Sequence, residues 1–265
     1  MEINISVIIV TWNNEKDISE CLESISDQTF KDYNIIVVDN ASSDRTVSIV
    51  REKFPEVILI ENEKNLFLTK GNNIGIKYAV DNFKPEFVMV LNPDTKVENN
   101  LLEVLYSKLK KDKSIGAVGP KIKFYKNQNE NLINSAGILF DGFKQAYDLG
   151  FLEEDRGQFD NDRYVFGVTG ACILYRTEML KDIGLYWEKI KLYLDEIELF
   201  IRASKKNWKV LYTGDTTVWH NYMASTSQEK TERIDKIKDN AWLWISLRHY
   251  SIKSKTAMIR NYLFS

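Results

Sequence analysis

Apolar residues come along this chain in short runs of strand length, and between the runs they recur at every third or fourth position. The runs "ISVIIVT" (Ile5 to Thr11), "YNIIVVD" (Tyr33 to Asp39), "EVILIE" (Glu56 to Glu61) and "EFVMVLN" (Glu86 to Asn92) are rich in Val and Ile, as strands covered on both faces are. Between the first two, Ile18, Cys21, Leu22 and Ile25 share one face of a helix predicted over Glu15 to Ser26. Ser and Asp residues in "NASSDRTVSIV" are placed to cap a second helix, and Thr69 to Val80 repeats the helical period before the fourth run. Strands alternating with helices predict βαβ crossovers and a mainly parallel sheet.

The second half follows another pattern. Ile115 to Val118, Ile122 to Tyr125 and Asn134 to Phe140 read as shorter strands, and the charged stretch "DGFKQAYDLGFLEEDRGQFDNDR" reads as loop. "YVFGVTGACILYR" (Tyr164 to Arg176) predicts a strand pair. Helices are predicted at about Thr177 to Ile183 and Asp195 to Lys206, then strands "KVLYT" and "TTVWH", then a helical tail from about Gln228. A nucleotide-type half of about residues 1–98 and a mixed half of about 99–227 are expected to form one α/β domain, with 228–265 as an appendage.

Composition narrows the partners. With 36 basic and 38 acidic residues the net charge is −2, which offers no bulk attraction to nucleic acid. Cys21 and Cys172 lie far apart without metal-ligand spacing, so core packing in a reduced, cytosolic compartment is the simplest reading. No segment has the ~20 consecutive apolar residues of a transmembrane helix, and "MEINISVIIVTWNN" lacks the features of a signal peptide. A cytoplasmic protein, dissolved or at the inner face of the membrane, is expected.

Ligands of open α/β sheets gather at the carboxyl ends of parallel strands. Thr11-Trp12-Asn13-Asn14, Asp39 through Asp44, and Asn92-Pro93-Asp94 all fall at that end. Pro93 fixes its own φ and biases Asn92 toward an extended conformation, which ends the ladder and aims Asp94 into the cleft. A carboxylate there suits Mg²⁺ or Mn²⁺ bridging to substrate phosphates. The absence of a G-x-G-x-x-G after the first strand and of a Walker lysine disfavours dinucleotide and P-loop sites.

Several segments, in order, resemble family 2 glycosyltransferases of the GT-A fold: "VIIVTWNNEKDISECLESISDQTF", "NIIVVDNASSDRT", "NLFLTKGNNIGIKYA", "VMVLNPDTKV", "GVTGACILYRTEMLKDIGLY", "LDEIELFIRASKKNWKVLYTGDTTVWH" and "STS". The resemblance spans about Ile5 to Ser227 and looks closest to the rhamnosyltransferase-like branch. It implies inverting, Mn²⁺- or Mg²⁺-dependent transfer of a sugar from a UDP- or dTDP-sugar to a hydroxyl of a glycan or lipid-linked acceptor in cell-surface polysaccharide assembly.

The same resemblance implies roles. Asp39 accepts a hydrogen bond from the N3–H of uracil or thymine beside Thr11, and Asn13, Asn40, Lys70, Asn73 and Asn92 line the nucleotide. The rival reading makes Asp39 a helix cap and puts Lys70 and Asn73 on solvated helix surface. Asp94 matches the last acid of the family's metal motif, whereas Asn92 stands where many members have a second Asp, so a second carboxylate ligand is lost there. His220, ending "TTVWH", is a metal ligand or a strand-end packing residue. Asp195-Glu196 inverts the family's usual Glu-Asp, leaving the base as Glu196 by position or Asp195 by residue type; acids in a first helical turn also answer the helix dipole. Glu198 and Arg202 are spaced to pair with each other. Gly170 is implied near the sugar, and Trp187 and Tyr193 are acceptor platforms or core.

The tail "NAWLWISLRHYSIKSKTAMIRNYLFS" mixes aromatic with basic residues. It reads as a peripheral membrane contact or as a helix packed on the domain or on another subunit. Two other functions remain: a non-catalytic nucleotide-sugar or carbohydrate-binding module of the same fold, and a sugar nucleotidyltransferase. The latter calls for a glycine-rich basic loop where this chain has "WNNEKD".

Overall fold

A computed structural model describes residues 3–126, 129–142, 145–221 and 231–250. Its first half is built as the sequence predicts. Strands β1 (Ile5–Thr11), β2 (Tyr33–Asp39), β3 (Ile58–Glu61) and β4 (Phe87–Leu91) lie parallel in the order β4-β1-β2-β3. They alternate with α1 (Ile18–Ser26), α2 (Thr46–Lys53) and α3 (Phe67–Asn82). Because side chains along a strand alternate, Ile5, Val7 and Ile9 enter one core layer while Ile8 and Val10 enter the other. The first layer is closed by Leu22 and Ile25 of α1 and by Leu101 and Leu105 of α4 (Leu101–Lys111). No element was expected over α4, although its leucines recur at helical spacing.

Two glycines let α3 settle onto the sheet. A Cβ on Gly75 would stand 2.4 Å from Ile8 Cγ2, and one on Gly71 would stand 2.6 Å from Val10 Cγ1. The other layer is completed by α5 (Thr177–Ile183) and α6 (Asp195–Lys205), through Met179, Leu199 and Phe200.

The second half differs from the expected pattern in connectivity. β6 (Ile115–Phe124) is one strand rather than two and runs through Pro120; β12 (Lys209–His220) joins "KVLYT" to "TTVWH". The two are parallel partners, and their register jumps from Thr213↔Pro120 to Thr217↔Lys121, so residues 214–216 loop out where proline has no N–H to donate. "YVFGVTGACILYR" is not a hairpin. β10 (Arg163–Val165) pairs with β12 at the sheet edge, whereas β11 (Cys172–Arg176) lies antiparallel between β4 and β6.

Smaller elements complete the frame. β5 (Thr95–Val97), unanticipated, follows the Asn92-Pro93-Asp94 turn and pairs with the end of β12. The predicted Asn134–Phe140 strand breaks at Gly137 (φ 103°) into β7 (Ile133–Ser135) and β8 (Ile138–Phe140). β9 (Ala146–Asp148), inside the stretch read as loop, pairs with β8.

Helix α7 (Thr231–His249) packs on the domain: Ala241 and Ile245 are buried with Ile190, Ile197 and Ile201. Gln228, the "STS" segment and Lys253, Lys255 and Arg260 lie outside the described residues. Among the described residues no helix is long and apolar enough to cross a membrane. Cys21 and Cys172 are buried and form no disulfide; burial pushes the Cys21 thiol up to about 12.

Candidate active site

The carboxyl ends of β1 and β2 meet at a hydrogen-bonded knot. Asp39 is buried, and its Oδ1 accepts from the hydroxyls of Thr11 (3.0 Å) and Ser42 (2.5 Å), while Oδ2 accepts from the Ser42 backbone N–H (2.9 Å). Asn13, exposed and left-handed at φ 56°, receives Ser43 N–H at 2.8 Å on its side-chain oxygen. Thus Asp39 holds the loop after β2 but does not cap α2, whose first N–H is taken by Asp44. A carboxylate offers about four acceptor positions and three are used, so one remains for a ligand.

Two predicted nucleotide contacts are committed inside the protein. The Asn40 amide accepts from Asn62 Nδ2 and donates to the Phe67 carbonyl, stapling the loop before α3. Asn73 is buried rather than on solvated surface; it accepts from Tyr186 N–H at 3.0 Å and donates to Tyr186 O at 2.9 Å and Glu188 Oε1 at 3.1 Å. It ties α3 to the chain before α6. Lys70 is exposed on the first turns of α3.

The turn after β4 brings Asp94 to His220. Thr95 Oγ1 donates to Asn92 O at 2.7 Å, and Asn221 N–H at the end of β12 donates to Asp94 O at 2.9 Å, so ladder and turn index the two side chains. Asp94 Oδ1 is buried and lies 3.3 Å from His220 Nε2. That contact is within ion-pair range but is not directed as a hydrogen bond, and Oδ1 accepts none. His220 Nδ1 is 3.3 Å from Asn134 Oδ1, and Asn92 Nδ2 is 3.4 Å from Nε2. The tautomer that satisfies both contacts donates from Nδ1 to Asn134 and accepts from Asn92 at Nε2.

The buried Asp94 Oδ1, which accepts no hydrogen bond, is the atom here that suits a cation. Asn134 holds the neighbouring imidazole by its other ring nitrogen. Among the described residues no three His, Cys, Asp or Glu side chains gather to cage a metal. The donor set of one carboxylate and one imidazole therefore fits a Mg²⁺ or Mn²⁺ ion that completes its shell with phosphate oxygens and water.

Asp195 and Glu196 open α6, with Asp195 buried and Glu196 half-buried. A Cβ on Gly170 would stand 3.9 Å from Glu196 Cδ, so that glycine keeps space open beside the carboxylate. The two acids are adjacent at the start of the helix and act on each other's titration. Burial raises Asp195 to about 6; burial, then the charge of Asp195, lifts Glu196 well above the usual carboxylate range.

The sequence reading missed a third carboxylate, Asp148 at the end of β9. Its outer side is open to solvent, yet the surrounding walls desolvate it and raise its carboxyl. Its charge acts on both Glu196 and His220. The only signal was a short "AYD" inside charged sequence. The predicted sugar platforms are partly covered: Arg248 lies over the Trp187 ring at 4.5 Å and Lys238 over Tyr193 at 5.3 Å.

A Rossmann-like sheet with a mixed second half and acidic groups at its carboxyl edge defines a glycosyltransferase domain of the GT-A type. The sequence model for "Glycosyl transferase family 2" matches residues 6–184, and the chain belongs to that family. It is 28% identical over 210 residues to the low-salt glycan biosynthesis hexosyltransferase Agl10 of Haloferax volcanii, covering 77% of this chain and 62% of that protein, so it spans less than two thirds of this relative's length. It is 22% identical over 268 residues to N-acetylglucosaminyl-diphospho-decaprenol L-rhamnosyltransferase of Mycobacterium tuberculosis, covering 92% of this chain and 84% of that one. The crystal structure of GalNAc-T7 with UDP, GalNAc and Mn²⁺ shares the fold, with a TM-score of 0.68, 17% identity, and coverage of 83% of this chain and 44% of that one.

Proposed function

We propose that this chain transfers a sugar, with inversion, from a UDP- or dTDP-sugar to a hydroxyl of a glycan or lipid-linked acceptor, using Mn²⁺ or Mg²⁺. The observation that carries the reading is the buried Asp94 Oδ1, without a hydrogen bond and 3.3 Å from His220 Nε2, on the turn whose Asn92 N–H bonds to Ala171 O, next to the Gly170 that borders Glu196. Relatives support the acceptor class: one is named for glycan biosynthesis, and another for an N-acetylglucosaminyl-diphospho-decaprenol. The GalNAc-T7 crystal structure with UDP and Mn²⁺ supports the donor and the metal.

In this reading residues 1–227 form the catalytic domain and 228–265 its helical tail. Asp39, Thr11 and Asn13 border the base, with the last acceptor position of Asp39 open to the imide N–H. Asp94 and His220 hold the cation, which when bound neutralises charge on the departing diphosphate. Glu196, the member of the pair that faces Gly170, takes the proton of the acceptor hydroxyl as its oxygen attacks the anomeric carbon; Asp195 beside it tunes its basicity. One displacement with one base requires no covalent intermediate and inverts the anomeric centre. A lipid-linked acceptor places the work at the cytoplasmic face of a membrane.

The test is a panel of UDP- and dTDP-sugars with glycan and lipid-diphosphate acceptors, with and without Mn²⁺. Metal-dependent nucleotide release and a product of inverted anomeric configuration are expected. Binding of nucleotide sugars without turnover across the panel would replace this reading with that of a binding module.

A further inference from the structure

Helix α7 and the segment from Trp187 to Tyr193 run side by side in opposite directions, and cations over rings mark their register. Arg248 lies 4.5 Å from the Trp187 ring centre, Lys189 Nζ 4.2 Å from Trp244, and Lys238 Nζ 5.3 Å from Tyr193. The segment ends at Tyr193 and Leu194, whose φ angles are 61° and 60°. Two successive non-glycine residues in the left-handed region crowd Cβ against the carbonyl and persist only where the surroundings hold them. The next residue is Asp195.

One turn further along α6, Glu198 is fully buried. Its carboxylate accepts from Arg202 Nη2 at 2.8 Å and His249 Nε2 at 2.9 Å, and forms an ion pair with Arg248 Nη1 at 3.0 Å. Lys205 Nζ is 3.0 Å from His249 Nδ1, which fits the tautomer that donates from Nε2 to Glu198. Arg202 also donates to the carbonyls of Gly184 (2.8 Å) and Leu185 (2.9 Å), the chain leading into Trp187. A single carboxylate thus binds α6, the segment before it and the end of α7. Arg202 alone would satisfy an i, i+4 pair; the partners from α7 are additional. Apolar contacts of Ala241 and Ile245 seat the helix, and directed charge contacts fix its rotation.

We propose that Glu198 is a positioning residue: by strapping α7 across residues 187–194 it holds the Tyr193–Leu194 turn, and through it the carboxylates of Asp195 and Glu196. The proposal rests on the reading of that pair as the site of proton removal. It also gives α7 a place in the reaction without any contact with substrate.

The test uses the full chain and measures kcat, donor KM, UDP affinity and melting temperature together. Glu198→Gln is expected to lower kcat roughly 10–100-fold through misplacement of the pair, with donor KM and UDP affinity held within about twofold. Glycine takes a left-handed φ without Cβ crowding, so Leu194→Gly added to Glu198→Gln is expected to recover most of the lost kcat without raising the melting temperature. A normal kcat for Glu198→Gln, or a loss that follows only the folded fraction and is not recovered by Leu194→Gly, overturns the proposal. Glu196→Gln separates the two readings: a wild-type rate there overturns the acid-pair assignment itself, whereas an inactive Glu196→Gln beside a normal Glu198→Gln overturns only the strap.

Discussion

His220 presents Nε2 to Asp94 Oδ1 at 3.3 Å while Asn134 holds its other ring nitrogen. Asp94 Oδ1 accepts no hydrogen bond there, and the proposed cation would sit against this carboxylate and the imidazole. Asp94→Ala is expected to abolish Mn²⁺-dependent UDP binding by calorimetry while leaving the melting temperature unchanged or raised. Asn134→Ala should weaken Mn²⁺ affinity about 10–100-fold by releasing the imidazole. Full metal-dependent UDP affinity in Asp94→Ala would refute the site.

The acid pair separates by substitution and by pH. Glu196→Gln keeps the shape but removes the proton acceptor, so kcat should fall roughly 10²–10⁴-fold with little change in donor affinity. Asp195→Asn should be milder; the reverse order would make Asp195 the base. Both carboxyls are raised, Glu196 further than Asp195, so kcat/KM is expected to decline as pH falls and the base takes up its proton, at a pH above the usual carboxylate range. A profile flat from pH 5 to 8 contradicts this.

The same shift affects stability. Burial raises Asp195 from 3.8 to about 6, so the folded chain binds its proton more tightly than the unfolded chain does. The stabilising contribution is therefore full below 3.8 and lost as pH rises through about 6. Asp195→Asn, which removes the buried charge, should be more stable than wild type at pH 8 by up to about 3 kcal/mol. In denaturant titrations the gain should shrink as pH falls below 6; a pH-independent difference would show that charge burial is not its cause.

Packing beneath α3 offers a test away from the site. A methyl at Gly75 would meet Ile8 Cγ2 at 2.4 Å, in the middle of a strand that cannot retreat. Gly75→Ala is expected to destabilise the fold by about 1–3 kcal/mol despite alanine's better helix propensity. A stabilised variant would mean that α3 lifts off the sheet at no cost.

Ile245 is fully buried under α7. Ile245→Ala should cost about 2–4 kcal/mol in unfolding experiments. If the helix instead served a membrane, the substitution would leave stability intact and weaken sedimentation with anionic vesicles.

What could be read in the sequence depended on how local each signal was. β1 and β2 begin and end where their Val- and Ile-rich runs do, since burial on both faces leaves little room for polar residues. Asp94 was legible because Pro93 announces the turn. The joining of two runs into β12 was not, because the looped residues 214–216 look like a hairpin turn until β6 is seen to continue in parallel. Asn40 and Asn73 carried the right residue type in the right neighbourhood, yet their amides are spent within the protein, and only the fold shows that. Asp148 was hidden because a three-residue strand pairing with β8 has no periodicity of its own.

In β12 the side chains of Thr216, Val218 and His220 turn inward and those of Thr217 and Trp219 lie less buried, counted in steps of two from the point where the ladder resumes. The proposed metal site is thus read in a frame. Length changes at 214–216 fall before Thr217 resumes the ladder, but a single residue gained or lost between Thr217 and His220 would keep the sheet only by offering Asp94 a different neighbour, Trp219 or Asn221. A length change within residues 214–216 would therefore leave the register of His220 intact, whereas one between Thr217 and His220 would come at the expense of the imidazole.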